Sequence, residues 1–309
     1  MSAATLLVLL AGIALPVFAQ NASTQEEGRK SQDAYEIESP DRSLTGFEAI
    51  DEAQPLWEFG AGGGFVEVPN YPASSERNFV ALAAPYVIYR GDVFRLGGGG
   101  GVRAVVVEER DFEVDLSLGG AFSADSDDNT VREGMPELDF LFEIGPQLIY
   151  RVRDYEFDGG GNARLNLRMQ ARAVFSTDFE RIDDRGYVFE PQLSYQQRGV
   201  LFADTAFNAS LSFVFASEDL HDYFYQVDEQ FVTSDREAFD ASGGYLGAEL
   251  NVGISFPIMK NMRGFAGGSL RFHQGAANED SPLFEDDLTY SIGLGFVWRL
   301  YQSDAKANW

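Results

Sequence analysis

Phe112-Glu113-Val114-Asp115-Leu116-Ser117-Leu118-Gly119 sets four apolar side chains against four polar or small ones in strict alternation. Successive side chains of an extended chain point to opposite faces, so this stretch predicts a strand with one apolar and one polar face. The texture recurs on both sides of it. Leu138, Phe140, Phe142 and Ile144 oppose Asp139, Leu141, Glu143 and Gly145, with Leu141 as the misfit. Leu165, Leu167, Met169, Ala171 and Ala173 oppose Asn166, Arg168, Gln170 and Arg172. Thr205, Phe207, Ala209, Leu211, Phe213 and Phe215 oppose Asp204, Ala206, Asn208, Ser210 and Ser212. Leu246, Ala248, Leu250, Val252 and Ile254 oppose Gly247, Glu249, Asn251 and Gly253, and Tyr290, Ile292, Leu294, Phe296, Trp298 and Leu300 oppose Thr289, Ser291, Gly293, Gly295 and Arg299.

A soluble sandwich also alternates, and strand length separates the two architectures. Soluble strands run to about 5–6 residues, whereas these runs approach the roughly 9–11 residues of a tilted membrane strand. Aromatics gather near the strand ends, at Trp57, Tyr89, Tyr150, Tyr187, Tyr195, Tyr245, Tyr290, Trp298 and Tyr301, where interfacial girdles belong. The fold class expected is all-β, a transmembrane antiparallel up-and-down β-barrel. Strands are predicted at 57–67, 79–90, 93–108, 112–123, 137–151, 163–175, 187–197, 199–216, 243–256, 262–273 and 288–301. That count is odd, whereas closed bacterial barrels favour even numbers. Twelve strands result if Gly97–Gly101 splits 93–108, or if a strand lies near Tyr223 to Val227; ten is the alternative. Short turns belong on the periplasmic side, which places the acidic connections 124–136, 176–186, 217–242 and 275–286 outside.

The rest of the chain fits export to an outer membrane. Leu6 to Leu15 is a short apolar core, and Val17-Phe18-Ala19 follows as a cleavage site, so residues 1–19 are expected to be a signal peptide. Residues 20–56 carry nine acidic and three basic side chains and read as a flexible periplasmic leader, with a short ordered piece near Leu44 to Ile50. Cysteine is absent, which excludes disulfides, thiolate metal sites and a lipid anchor on Cys. A formal net charge of -26 repels nucleic acid, yet allows cations to bridge acidic loops to lipopolysaccharide.

Short motifs punctuate the strands: Pro69-Asn70-Tyr71, Pro85-Tyr86-Val87-Ile88-Tyr89, Gly134-Met135, Glu143-Ile144-Gly145-Pro146 and Asp280-Ser281-Pro282-Leu283. In order and spacing the chain from residue 57 to 301 resembles the MipA/OmpV family of outer-membrane proteins. It departs from that pattern at Pro72-Ala73-Ser74, where the family tends to have Gly-Ser, and in continuing past Tyr301 to a terminal Trp309. The resemblance implies a scaffold joining the outer membrane to a lytic transglycosylase of peptidoglycan remodelling, and carries over no catalytic residue.

Within a barrel, Glu113, Asp115, Asp139, Glu143, Arg168, Arg172, Glu249 and Arg299 are expected to line the lumen, as a plugging salt-bridge network or a narrow pore. Transport of small solutes and surface adhesion are therefore alternatives to the scaffold. Catalysis needs a positioned base and nucleophile. His221 and His273 are the only histidines, neither has a serine in a recognisable nucleophile context, and both read as surface or girdle residues. Asp125-Ser126-Asp127-Asp128-Asn129 begins like a calcium loop but lacks the glycine and distal glutamate at the right spacing, so no metal or cofactor is expected.

Overall fold

In a computed structural model of the chain, residues 39–96, 102–121 and 130–308 are described. The expected signal peptide, the leader up to residue 38, the acidic 125–129 stretch and Trp309 lie outside them. Twelve strands form the wall: β1 (Trp57–Pro69), β2 (Arg77–Arg90), β3 (Phe94–Leu96), β4 (Val102–Glu108), β5 (Phe112–Ala121), β6 (Phe140–Glu156), β7 (Asn162–Thr177), β8 (Ile182–Arg198), β9 (Ala206–Ala216), β10 (Gly244–Met259), β11 (Met262–Phe272) and β12 (Leu288–Gln302). Each pairs antiparallel with its sequence neighbours, and β1 closes on β12 from Glu58↔Gln302 to Glu67↔Ile292. Closure follows from the solvent: hydrocarbon offers backbone groups no hydrogen bonds, so a membrane sheet must satisfy them strand to strand.

Alternation sets the faces. Leu211 pairs with Leu250 and Leu193 on the outer face, and all three are exposed to the bilayer side. Ser212 beside Leu211 is buried in the lumen. Aromatic side chains stack at both rims. Trp57 and Tyr89 lie 4.2 Å apart at one end, and Phe142 and Phe175 lie 5.3 Å apart nearer the other. Gly145 admits the close approach of β7, because a Cβ there would lie 2.0 Å from the Ala171 carbonyl oxygen.

The even strand count arises because the predicted 93–108 strand is divided into β3 and β4, which pair antiparallel with Leu96 opposite Val102. The segment 217–243 instead holds a short helix, α1 (Glu218–Tyr225), and an isolated bridge between Val227 and Phe239. The connection expected over 176–186 is a four-residue turn, 178–181, because β7 and β8 extend to Thr177 and Ile182. Strand β9 begins at Ala206, and 199–205 form its turn. Leu246 departs from its lipid-facing assignment. A β-bulge between Tyr245 and Gly247 adds one residue against Phe215 and Val214 and turns Leu246 inward, where it is buried.

Residues 39–56, expected to belong to a flexible leader, lie inside the barrel. Arg42 and Leu44 are almost fully buried there, and Glu48, in the piece expected to be ordered, is buried too. Local composition predicted mobility because these residues find their partners on strands far along the chain, as Leu44 does with Gln196 and Ser39 with Arg164.

Candidate functional site: a lumen closed at both ends

Short turns assign the mouth near Trp57 and Gln302 to the periplasmic side, since only Lys260 and Asn261 join β10 to β11 there. Residues 39–56 fold into the lumen from that side and are held by strands all round the wall. Asp41 pairs with Arg103 of β4 and with Arg168 of β7, the latter at 2.7 Å. Asn166 and Arg164 of β7 donate to the Pro40 and Ser39 carbonyls. Arg198 of β8 donates to the Gly46 carbonyl at 3.0 Å, and Ser255 of β10 donates to the Thr45 carbonyl at 3.1 Å. Arg299 of β12 pairs with Glu48 at 2.6 Å and lies 4.3 Å above the Phe47 ring. Wall donors thus meet the Ser39, Pro40, Thr45 and Gly46 carbonyls, as burial of backbone acceptors requires.

Of the eight residues expected to line the lumen, seven stand in ion pairs among the described residues. Glu113 and Asp115 share Arg103, and Glu113 also binds Arg95 at 2.8 Å. Arg172 bridges Glu143 at 2.8 Å and Glu190 at 2.6 Å. Glu249 pairs with Arg271, while Arg168 and Arg299 hold the inserted segment. Asp139 is the exception: it precedes β6 at the outer rim, where its carbonyl accepts from the Tyr223 hydroxyl. The network comprises salt bridges between neighbouring strands, which neutralises charges that lipid or an apolar plug would not tolerate.

The outer mouth is covered by a lid whose core contains Tyr71, Leu220, Phe224, Tyr225, Val227 and Leu283, packed on the inward Leu141, Val174, Val188 and Leu246 of the wall. Leu141, the misfit in its strand, faces inward because the top of the lumen is apolar. Two of the sequence motifs meet here: the Tyr71 hydroxyl donates to the Leu283 carbonyl, and Ser281 donates to the Tyr225 carbonyl at 2.8 Å. Ala73 adopts a left-handed φ of 64°, held by its carbonyl accepting from Glu285 and Asp286 and its N–H donating to His273.

Both histidines depart from their expected surface positions, being fully buried in this lid. His221 Nδ1 lies 2.7 Å from the Asn278 amide nitrogen, which donates to it, leaving Nε2–H to donate to the Gly244 carbonyl. His273 Nε2 accepts from the Ala73 N–H at 3.1 Å, so its Nδ1–H faces the Leu246 carbonyl. Each ring is a neutral clip between loops, and burial lowers its pKa, for His273 to about 4. Sequence reasoning missed these roles because the partners lie 16 to 200 positions away.

Cavities of about 530 Å³ and 320 Å³ lie within the barrel. The larger borders Asp41, Phe47, Arg168 and Arg263; the smaller lies under Leu220 and Phe224 beside Glu143, Arg172 and Glu249.

A family model described as MltA-interacting protein MipA matches residues 60–300. The chain belongs to this family. Membership and a twelve-strand wall with a lipid-facing apolar belt make this MipA-family chain an outer-membrane β-barrel protein. No curated protein matches it. Among solved structures it is similar to the outer-membrane expressed OmpT of Vibrio cholerae, at 10% identity and a TM-score of 0.33 over 80% of this chain and 100% of that one. It is also similar to outer membrane phospholipase A from Escherichia coli, at 12% identity and a TM-score of 0.26 over 86% of this chain and 98% of that one.

Proposed function

We propose that this barrel is an envelope scaffold that presents its periplasmic face to a peptidoglycan lytic transglycosylase. The observation that carries the reading is the lumen itself, crossed on the periplasmic side by residues 39–56 and covered outside by the α1 lid. A conducting protein would keep that path clear, and a scaffold gains rigidity from filling it. The family description, MltA-interacting protein, supplies the kind of partner.

The periplasmic rim offers an anchor for such a partner. In the β8–β9 turn Leu201 and Phe202 are 66% and 76% exposed, and Phe157 in the neighbouring β6–β7 turn is also exposed. These turns touch backbone to backbone, since a Cβ on Gly199 would lie 2.9 Å from Gly161 Cα. Exposed apolar groups grouped in this way suit the hot-spot core of an interface.

Capture of a purified lytic transglycosylase by the full barrel in detergent tests the reading. Leu201→Ser with Phe202→Ser should weaken capture about tenfold or more, with barrel folding unchanged on a heat-modifiable gel. Removal of residues 20–38 separates a contribution of the acidic leader. No capture by the unaltered protein would remove the proposal, and capture insensitive to both changes would exclude this rim as the docking face.

A further inference from the structure

The smaller lumen cavity, of about 320 Å³, has two kinds of wall. Its roof and upper sides are apolar, made by Leu220 and Phe224 of α1, by Leu141, Val188 and Leu246 of the strands, and by Tyr71 of the β1–β2 loop. Its floor is charged. Glu143, Arg172 and Glu190 reach it from β6, β7 and β8, and Glu249 and Arg271, opposite each other in register, reach it from β10 and β11. The Arg271 charge acts on Glu143 as well, so the five side chains form one electrostatic group.

Three carboxylates stand against two guanidiniums, and no other charged residue lines this cavity among the described residues. One negative charge is therefore in excess. Free hydrogen-bonding capacity is unequal in the same sense. All three nitrogens of Arg172 are engaged, Nε beside Glu143 at 2.8 Å, Nη1 on Gln170 and Nη2 on Glu190 at 2.6 Å. Arg271 gives Nε and Nη2 to one oxygen of Glu249. Each carboxylate uses only Oε2 in these contacts, and Oε1 of Glu143, Glu190 and Glu249 accepts no hydrogen bond among the described residues. The three side chains keep 25%, 15% and 16% of their surface open beneath the lid, which turns the free oxygens toward the cavity. Asn70 Oδ1, on the loop wall, is a further acceptor without a donor.

An anion entering this space meets guanidiniums already committed, whereas a cation meets unused acceptors. The carboxylates do not converge as a metal ion requires, since no group of three acidic or histidine side chains among the described residues could hold one. A bare ion would also leave the apolar roof unfilled. An ammonium group brings three N–H donors and the single charge that balances the floor, and an apolar body attached to it covers the roof.

We infer that this cavity binds a primary amine carrying a compact apolar group. Its ammonium lies on the free oxygens of Glu143, Glu190 and Glu249, and its apolar end lies against Leu220 and Phe224. A cavity of about 320 Å³ is at the small end of ligand pockets, which suits a compact molecule. Because α1 is the roof, the amine enters when the lid opens and holds the lid shut once bound. The site lies at the opposite end of the barrel from the docking rim and is independent of the scaffold role.

Titration calorimetry of the full protein at neutral pH in a nonionic detergent tests the assignment, with phenethylamine as the probe. Phenethyl alcohol is the neutral control and phenylpropionate the anionic one. The amine should bind saturably and about tenfold or more tightly than the alcohol, with the anion weakest. Glu249→Gln should weaken the amine about tenfold, and Arg271→Gln should tighten it about threefold or more. Both substitutions break the same ion pair, so a folding defect would move them in one direction, and only the charge balance moves them in opposite directions. Saturating amine should also slow amide exchange in α1. Equal binding of amine and alcohol, weakening by both substitutions, or unmoved exchange in α1 at saturation would overturn the assignment, as would no saturable binding to the unaltered protein.

Discussion

The phenolic O–H of Tyr71 donates to the carbonyl oxygen of Leu283 at 2.6 Å, joining the β1–β2 loop to the β11–β12 loop across the outer mouth. Both residues are almost wholly buried, so neither group has water as an alternative partner. Tyr71→Phe keeps the ring and leaves the carbonyl unmet, a change expected to cost about 1–3 kcal/mol of lid stability. Amide exchange in α1 should quicken while that of the β6–β8 wall stays unchanged. Unaltered exchange in α1 would mean that packing alone holds the lid.

Asp41 is the counter-ion shared by Arg103 and Arg168, with only 6% of its side chain exposed. Arg103 retains Glu113 and Asp115, whereas Asp41 is the only ion-pair partner of Arg168 among the described residues. Asp41→Asn should therefore loosen residues 39–56 by about 3–5 kcal/mol, the usual consequence of orphaning a buried charge. In planar bilayers the unaltered protein should be nearly silent, and the variant should show opening events together with protease cleavage near Arg42. Identical conductance and cleavage in the two proteins would argue against the segment acting as a plug.

His273 sets a pH dependence on the lid. Its folded pKa of about 4 lies below its ordinary value of 6.5. Between those values the opened lid takes up a proton that the closed lid refuses. The stabilisation from the neutral ring is complete above about pH 6.5 and is lost as pH falls toward 4, by up to on the order of 3 kcal/mol. His221, also lowered by burial, adds in the same direction. His273→Gln keeps an acceptor for the Ala73 N–H and should flatten most of the slope in lid opening followed by amide exchange. An equally steep slope in that variant would place the titration elsewhere.

The face assignment of β9 is open to a paired test. Leu211, 40% exposed, faces lipid, and Ser210 faces the lumen. Leu211→Arg should cost about 2–4 kcal/mol near the bilayer midplane, and Ser210→Arg far less. Unfolding titrations in lipid should preserve that order. The reverse order would require a one-residue slip of β9 against β8 and β10.

Period-two alternation, aromatic rims and strand length were enough to read the twelve-stranded barrel and the alternation of its strand faces directly from the amino-acid sequence. These are local properties: a side chain's face is set by its parity within its own strand, and lipid and water sort apolar from charged residues without reference to distant partners. Tertiary structure decided what local pattern does not encode. The acidic residues 39–56 look mobile in isolation, and only the arginines of β4, β7, β8 and β12 give Asp41, Glu48 and their backbone carbonyls a reason to be buried. Leu246 has the parity of a lipid-facing residue, and a single bulge opposite β9 reverses it. His221 and His273 become clips only when loops brought together by barrel closure present Gly244, Leu246, Ala73 and Asn278 to their rings.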